Sequence, residues 1–213
     1  MNKPIADIRK EYTLATLELD QVAKDPISQF KAWFEAAIKS DVNEPNAMCL
    51  STINSANRPS ARIVLLKGVE DQKFIFYTNY DSQKGKDLIN QPFAALTFFW
   101  PELERQVRIE GSVQKVSSLL SDEYFNSRPK GSQLGAWASP QSQKINSRSV
   151  LESNLKDLEK EYQDRQVPRP PHWGGFELTP DRIEFWQGRA SRLHDRVVYE
   201  KKADTWHINR LAP

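Results

Sequence analysis

Hydrophobic positions recur with the two-residue period of β-strands over most of the chain, and shorter stretches with a helical period lie between them. The first strong helix is predicted to begin at Asp25-Pro26, because an N-cap acid and a first-turn proline precede apolar residues at helical spacing up to Ile38. From Ala47 the period changes to that of strands. The run at 93–100 is apolar almost throughout, which is typical of a strand buried on both faces or at a subunit interface.

The predicted strands are short and alternate with turns or helices, which favours a mainly β fold, an antiparallel barrel with helices packed around it. Residues 1–24 are polar with scattered Ile and Leu, so we expect a mobile arm in front of a single domain at 25–213. Strands are expected at 47–53, 60–67, 73–78, 93–100, 104–116, 174–179, 182–187, 196–201 and 205–211. Further helices are expected at 82–90, 117–127, 132–138 and 149–164.

Composition narrows the function classes. The formal net charge of +2 over 213 residues gives no global field toward nucleic acid, so any basic function must be local. The single cysteine excludes an internal disulfide and a thiolate-rich metal site. The first residues lack the apolar core of a signal peptide and no apolar run reaches membrane-spanning length. A cytoplasmic location without a membrane partner is therefore expected.

Several familiar chemistries have no motif in this chain. The three histidines are scattered over different segments, so no metal site is expected. There is no HExxH, nucleophile elbow or Walker loop, and no GxGxxG follows a predicted strand. What remains is a set of basic and hydroxyl residues at the ends of predicted strands and helices. Such donors bind phosphate dianions through charge-assisted hydrogen bonds, and there are enough of them for two phosphates.

The most unusual stretch is 183–196, IEFWQGRASRLHDR. It begins as an aromatic strand, and after Gly188 it places Arg189, Arg192, His194 and Arg196 within a few residues. Exposed charge runs are common, so this composition is equally consistent with a solvated basic loop and with a site for a flat anionic ligand.

A second basic pair, Arg62 and Lys67, raises a geometric question. Residues five apart in a regular strand point to opposite faces. The two side chains can serve one site only if a bulge or a strand end near Gly68 re-aims Lys67; otherwise they serve two sites.

Taken together, the basic motifs occur in an order that resembles one family. The sequence is similar to pyridoxine (pyridoxamine) 5′-phosphate oxidases, FMN enzymes that produce pyridoxal 5′-phosphate. The resemblance runs from about residue 9 to the end of the chain, and the collinear set is far more specific than any one motif. Its members are RKEY at 9–12, RIVLLK at 62–67, FYTN at 76–79, ERQVRIEG at 104–111, YFNSRP at 124–129, SQLGAW at 132–137, IEFWQG followed by RLHDR within 183–196, and the terminal INRLAP.

The resemblance implies a split β-barrel homodimer with FMN in clefts between the subunits. It implies oxidation of pyridoxine 5′-phosphate or pyridoxamine 5′-phosphate by hydride transfer from C4′ to FMN, with O2 reoxidising the flavin and giving H2O2. This would be the final step in making or salvaging the vitamin B6 cofactor. By matched position, the FMN-binding residues are Arg62, Ile63, Val64, Leu65, Leu66, Lys67, Tyr77, Thr78, Gln83, Lys84, Gln106, Gln141, Ser142, Trp186 and Arg196.

The same carry-over implies a substrate site. Arg192 and His194 would hold the pyridine ring and act catalytically by polarising the ring hydroxyl and assisting loss of the C4′ hydroxyl proton. The arm residues of the RKEY motif would close over the substrate as a lid. The substrate-binding residues are Arg9, Lys10, Glu11, Tyr12, Lys67, Tyr124, Arg128, Ser132, Arg192, Leu193 and His194.

One position departs from the family pattern. The family often has Arg where this chain has Gln83, so we expect one weaker phosphate contact and weaker FMN retention. Arg189 receives no role from the resemblance, and Asp195 is expected to orient a neighbouring arginine.

Two other classes of protein remain open. The first is a non-catalytic flavin- or pyridoxal-phosphate-binding module of the same barrel type, which would consume no oxygen with substrate. The second is a small nucleic-acid-binding barrel that uses its aromatic residues for stacking. The nearly balanced charge disfavours the second class.

Overall fold

The computed structural model describes residues 4–213, so the first three residues of the expected arm lie outside the described residues. Helices and strands alternate much as the sequence predicts. The helices are α1 Pro26–Lys39, α2 Gln83–Asn90, α3 Ser118–Ser127, α4 Lys130–Ala138 and α5 Ser149–Glu161, with one-turn 3₁₀ helices at Ile5–Asp7 and Ala190–Arg192. The strands are β1 Ala47–Ile53, β2 Pro59–Leu65, β3 Gly68–Glu70, β4 Lys73–Asn79, β5 Phe93–Trp100, β6 Arg105–Lys115, β7 Trp173–Gln187, β8 Asp195–Lys202 and β9 Thr205–Leu211.

The strands form a nine-stranded sheet in the order β2-β1-β5-β6-β7-β4-β3, and β8 pairs with both β7 and β9. The chain divides into two compact units. Unit one contains residues through Leu50, Ala95–Gly111 and Pro180–Pro213, and unit two contains Ser51–Ala94 and Ser112–Thr179. The division into an arm at 1–24 and one domain at 25–213 stays a prediction.

The core of unit one forms around α1. The Asp25 side chain caps the helix by accepting a hydrogen bond from Ser28 N, as its sequence predicts. The apolar stripe of the helix packs inward: the Phe30 ring lies 5.2 Å from Phe98, and the Trp33 ring lies 5.2 Å from Phe185. The stripe is therefore core through Ala37, whereas Ile38, its last expected member, is 53% exposed. The buried part brings α1 against the strand that leads into the basic segment at 188–196.

The core of unit two joins α3, α4 and the start of β7. Phe125, Leu134, Val167 and Trp173 form its buried cluster, with partly buried side chains of α5 packed against it. This cluster supports the ends of α3 and α4, where several of the expected phosphate-binding residues lie.

The structure differs from the sequence prediction at β7, which is one strand of 15 residues where two were expected. The turn signal at Pro180-Asp181 does not break it, because the strand changes partner there. Its first half pairs antiparallel with β4 up to Leu178, and its second half pairs antiparallel with β8 from Arg182. Pro180 lies between these two registers, so its missing N–H removes no bond from either ladder.

Candidate active site

Most of the residues expected to bind FMN and the substrate phosphate line one cavity in unit two, here called the main cavity. Its volume is about 730 Å³. It lies among β2, β4, α3 and α4. Among the expected residues, those that line it are Arg62, Ile63, Val64, Leu65, Lys67, Tyr77, Thr78, Lys84, Tyr124, Arg128, Ser132 and Gln141.

Arg62 and Lys67 reach the same cavity because the strand ends between them. β2 stops at Leu65, and the backbone N–H of Lys67 donates instead to Ile75 O on β4, at 2.8 Å. The side-chain alternation of a regular strand is therefore lost before Lys67. Of the two geometries that the sequence allowed, the structure has the single site.

The main cavity is lined by cations and by no acidic side chain among the described residues. Arg62, Lys67, Lys84 and Arg128 line it, and none of its lining residues within 4–213 is Asp or Glu. Arg62 Nη2 lies 3.9 Å from Asp87 Oδ2, which is outside the lining. Lys84 Nζ lies 3.2 Å from Thr78 Oγ1 and 3.1 Å from Gln141 Oε1. Burial, and then the positive charge of Arg62, lower the pKa of Lys84. This crowding of positive charge favours a bound anion.

Arg128 provides the clearest sign of a missing anionic partner. Its Nη1 atom is buried and has no hydrogen-bond partner among residues 4–213. Burial also lowers the pKa of Arg128, so the guanidinium is partly desolvated without compensation from a carboxylate. Buried polar groups are nearly always hydrogen-bonded, and a phosphate oxygen is a good acceptor for a guanidinium. The donors of the cavity, beside the apolar side chains of β2, fit phosphorylated aromatic ligands such as FMN.

A second cavity, in unit one, gathers the arm and the basic segment. This arm cavity has a volume of about 660 Å³. The expected lid residues and the two expected catalytic residues meet here. It is lined by Ile8, Arg9, Lys10, Glu11, Tyr12, Arg189, Ser191, Arg192 and His194.

Close packing holds the arm against this segment. The Tyr12 ring lies over Gly188, where an added Cβ would come within 2.7 Å of Tyr12 Cγ, so only glycine allows this approach. The ring also meets Trp186 edge-on, with centroids 5.7 Å apart. Glu11 Oε1 accepts a hydrogen bond from Ser191 N at 3.0 Å. The arm thus closes one side of the cavity, while its mobility stays a prediction.

Glu104 anchors the arm and the basic segment together. Its side chain is only 2% exposed, and it accepts a hydrogen bond from Leu14 N at 3.1 Å and pairs with Lys10 Nζ at 3.4 Å. Its backbone carbonyl accepts from Gly188 N at 2.8 Å. One residue between β5 and β6 therefore fixes both walls of the arm cavity.

The hydrogen bonds of His194 define its tautomer. The backbone N–H of Arg189 donates to His194 Nδ1 at 3.1 Å, so Nδ1 is an acceptor and a neutral imidazole carries its proton on Nε2. Burial, and then the charge of Arg192, lower the pKa of His194. Ser191 and Arg192 have φ of 55° and 61°, a left-handed turn that presents Arg192 to the cavity.

Asp195 joins three parts of unit one. Its carboxylate accepts hydrogen bonds from Arg189 Nη1 at 2.8 Å, Arg210 Nη1 at 2.8 Å and Leu17 N at 3.1 Å. Burial raises the pKa of Asp195, but the Leu17 N–H and the two arginines outweigh it, so the pKa lies below its usual value. Asp195 thus orients arginines, as the sequence suggested, and it also holds the arm.

Some expected site residues line neither cavity. Leu66 is buried in the core, and Leu193 is 70% exposed. Gln83 Nε2 donates to Asp87 Oδ1 at 2.7 Å, one turn along α2. Ser142 is exposed, and Gln106 is half-buried on β6.

Trp186 and Arg196 face each other across the β7–β8 ladder, outside the lining of both cavities. The Trp186 ring lies 4.6 Å from His194, so it borders the arm cavity. Arg196 makes a two-pronged ion pair with buried Glu184, at 2.9 and 3.0 Å. Its guanidinium is thereby fixed in direction.

Some lining residues were not expected from the sequence. Trp173 follows a proline-rich connector, and its aromatic character was the only available signal. Ser139 lines the main cavity with no motif that singles it out. Asn79, Arg189 and Ser191 line the cavities from within stretches that the sequence did single out, but none of the three was assigned a role. No group of three or more His, Cys, Asp or Glu side chains suited to a metal ion occurs among residues 4–213. In the same residues, no helix is long and apolar enough to cross a membrane.

Comparison with known proteins agrees with this geometry. The family model described as pyridoxamine 5′-phosphate oxidase matches residues 34–162, and that of the pyridoxine 5′-phosphate oxidase C-terminal dimerisation region matches 173–213. Proteins named pyridoxine/pyridoxamine 5′-phosphate oxidase are 56% identical in a Cyanothece species and 54% identical in Leptospira interrogans, each over 100% of both chains.

Solved structures establish the fold. PhzG from Burkholderia lata, in complex with tetrahydrophenazine-1-carboxylic acid, matches with a TM-score of 0.89 at 29% identity, over 96% of this chain and 100% of that chain. A pyridoxamine 5′-phosphate oxidase-related, FMN-binding protein from Nostoc punctiforme matches with a TM-score of 0.71 at 19% identity, over 90% and 100%. The protein is thus of the split-β-barrel class, which confirms the expected fold. It belongs to the pyridoxamine 5′-phosphate oxidase family of FMN-dependent enzymes.

Proposed function

We propose that this enzyme oxidises pyridoxine 5′-phosphate or pyridoxamine 5′-phosphate to pyridoxal 5′-phosphate, with FMN as its cofactor. When bound, FMN would supply the acceptor for the hydride that leaves C4′ of the substrate, and O2 would then take up the electrons and give H2O2. The names of the full-length relatives support this reaction class.

The observation that carries the proposal is the main cavity. It combines four cationic side chains, no acidic side chain among its described lining residues, and a buried guanidinium nitrogen without a partner. A site built in this way suits phosphate groups on two ligands. The alternative of a nucleic-acid-binding barrel predicts an extended basic surface, whereas here the charge converges on a cavity.

The cations divide between two roles in this proposal. Arg62 and Lys84, with Thr78, hold the FMN phosphate, because they lie together around the start of α2. Arg128 and Lys67, with the hydroxyl groups of α3 and α4, hold the substrate phosphate. Because the substrate phosphate is bound at a distance from C4′, its binding energy helps to orient the reacting carbon.

Arg192 and His194 hold the pyridine ring in the proposal. Because His194 carries its proton on Nε2, this nitrogen can donate a hydrogen bond, for example to the hydroxyl oxygen of the pyridine ring. A base at Nε2 would first have to lose that proton or change tautomer, at the cost of the bond from Arg189 N. Arg192 adds a positive charge that stabilises an anionic ring oxygen.

We propose a homodimer with FMN bound between the subunits. The match to a C-terminal dimerisation region over 173–213 supports the assembly. In that dimer Trp186, Gln106 and Arg196 contribute to the flavin site, and the fixed direction of Arg196 suits such a role.

The visible spectrum of the purified protein tests the proposal directly. We expect the yellow spectrum of oxidised flavin, bleaching when pyridoxine 5′-phosphate is added without air, and recovery with H2O2 when O2 is admitted. Unphosphorylated pyridoxine is the matched control and should bleach the flavin far more slowly. A colourless protein that cannot be loaded with FMN would contradict the proposal. A flavin that binds but is never bleached would indicate the non-catalytic module.

A further inference from the structure

The guanidinium of Arg128 lies against an aromatic stack in unit two. Its Cζ is 4.6 Å from the Trp173 ring centroid and 5.6 Å from that of Phe125. No ion pair involves Arg128 among the described residues, and its Nη1 has no hydrogen-bond partner there. Aromatic faces are thus the main side-chain contacts that position this half-buried cation.

Trp173 is itself held firmly. Its ring is nearly parallel to Tyr77, at 5.5 Å and 11°, and to Tyr124, at 6.2 Å and 9°. Its backbone carbonyl accepts from Arg169 Nη1 at 2.7 Å. Beyond it, a Cβ on Gly175 would lie 2.8 Å from Tyr77 Cε1, so the strand and the ring pack without space to move. The indole is only 7% exposed.

We infer that Trp173 is a positioning residue for substrate binding: its indole face holds the Arg128 guanidinium toward the main cavity, where it receives the phosphate of the substrate. A cation over an indole face is attracted by the ring quadrupole, and the attraction grows when solvent is excluded. The stack leaves the planar edge of the guanidinium free, so no hydrogen-bond donor is consumed in holding it. An acidic partner would hold the arginine more tightly, but it would compete with the phosphate.

The inference rests on the proposed function, and its test needs no turnover. The ligand is 4-deoxypyridoxine 5′-phosphate, which lacks the group to be oxidised, compared with unphosphorylated 4-deoxypyridoxine. Both are titrated into the FMN-loaded enzyme by calorimetry. Trp173→Leu should weaken binding of the phosphorylated ligand by about 5- to 30-fold, and that of the unphosphorylated ligand by less than about 2-fold. Trp173→Phe, which keeps an aromatic face, should recover most of the loss.

Two comparisons separate positioning from mere packing. Trp137→Leu removes an indole from the same core cluster without touching Arg128, and it should leave both affinities within about 2-fold. In an Arg128→Ala background, Trp173→Leu should cause no further loss, because contacting residues are non-additive when one acts through the other. Equal losses in both backgrounds, or equal losses for both ligands, would overturn the inference.

The binding test of Trp173 and the test of the proposed function can fail independently of each other. If the wild type does not oxidise pyridoxine 5′-phosphate, the proposed function fails while the binding comparison can still be made. If the wild type does not bind the phosphorylated ligand more tightly than the unphosphorylated one, Arg128 receives no phosphate and the inference fails. Thermal unfolding of Trp173→Phe confirms that binding is measured on folded protein.

Discussion

Substitution of Asp195 by Asn should loosen the arm and the basic segment together. The change keeps the shape of the side chain and removes its charge. In the native protein both carboxylate oxygens accept hydrogen bonds, from Arg189, Arg210 and the backbone of Leu17. An amide has one accepting oxygen, so its NH2 group must face at least one of these donors.

The magnitude follows from the exposure of each partner. Hydrogen bonds to a charged group contribute about 1.5–3 kcal/mol each when buried. The Arg189 and Arg210 side chains are 36% and 37% exposed, so solvent screens both pairs, and exposed pairs contribute only about 0.2–1 kcal/mol. The amide oxygen can stay at the Oδ2 position and keep the hydrogen bonds from Leu17 N and Arg189 Nη1, so its NH2 group then faces Arg210 Nη1, and the loss of that acceptor costs about 1–3 kcal/mol. We therefore expect a destabilisation of about 1–3 kcal/mol, which lowers the Tm by roughly 2–12 °C for a chain of this size.

The pH dependence gives a second signature. The pKa of Asp195 in the folded protein lies below its ordinary value of 3.8. Its contribution is therefore complete above that value, and it is lost as the pH falls through the lower folded pKa. The difference in stability between wild type and Asp195→Asn should be constant from about pH 6 to 8 and should shrink below about pH 4.

Denaturant unfolding of the FMN-loaded protein at several pH values measures both effects. Asp204→Asn, an exposed position in the β8–β9 turn, is the matched control and should change stability by less than about 0.5 kcal/mol. The reasoning is refuted if Asp195→Asn matches this control near neutral pH, or if its deficit grows as the pH falls.

Three further predictions concern binding and catalysis. Glu104→Gln should raise the KM about 3- to 10-fold with kcat nearly unchanged, because the hydrogen bond that holds the arm at Leu14 N weakens. The arm should also be cleaved faster by a protease, and an unchanged cleavage rate would contradict this prediction. Gln83→Arg should raise FMN affinity about 3- to 10-fold in a fluorescence titration by adding a charged donor, and no gain would refute the idea. Arg192→Ala and His194→Ala should each lower kcat about 10- to 100-fold, whereas a raised KM with normal kcat would make them binding residues. The pKa of His194 lies below its ordinary value, so the neutral form, whose Nδ1 accepts from Arg189 N, should persist to a more acidic pH than in an ordinary histidine. The kcat should therefore stay constant down to that lower pH.

The helices and strands that were predicted well are those whose sequence signals lie within the element itself or directly beside it. α1 has an N-cap acid, a first-turn proline and an apolar stripe within one segment, and the structure confirms all three. The strand at Phe93–Trp100 was predicted with the same bounds, because its apolar run ends at proline on both sides. In such cases propensity, pattern and turn chemistry agree.

The missed elements depend on partners far along the chain. β7 continues through Pro180 because different strands pair with its two halves. The short β3 forms a hairpin with β4 through Asp71-Gln72, both with positive φ. Hairpin turns of this kind usually contain glycine, so the sequence carried no signal for it. Pairing energy overrides local preference in both places.

The candidate site likewise contains residues that the sequence predicted and contacts that it did not. Residue types at strand and helix ends, with the resemblance, predicted most of the main cavity. They did not predict that Gln83 would bond to Asp87, that Arg196 would pair with Glu184, or that Glu104 would hold the arm. The contacts of Arg196 and Glu104 depend on which polar group a neighbouring element supplies, and a single sequence does not contain that information. The Gln83–Asp87 contact is an i,i+4 pair within α2, so its spacing was visible in the sequence but was not used.

Arg62 and Arg128 illustrate why this information matters for function. By residue type both were equally suited to bind phosphate, and only the resemblance placed Arg62 at FMN and Arg128 at the substrate. In the structure Arg62 donates to Thr52 and Ser60 at 2.8 Å and lies 3.9 Å from buried Asp87, so part of its charge is already balanced. Arg128 has no such acid among residues 4–213 and rests on an aromatic face. A cation whose charge is already partly neutralised by a protein carboxylate suits a ligand that stays bound, such as a cofactor. A cation without such a carboxylate gains more interaction energy from a ligand phosphate, which suits a substrate that binds and leaves in each cycle. The electrostatic difference thus supports the proposal that Arg62 holds the cofactor phosphate and Arg128 the substrate phosphate, a distinction that residue type alone could not make.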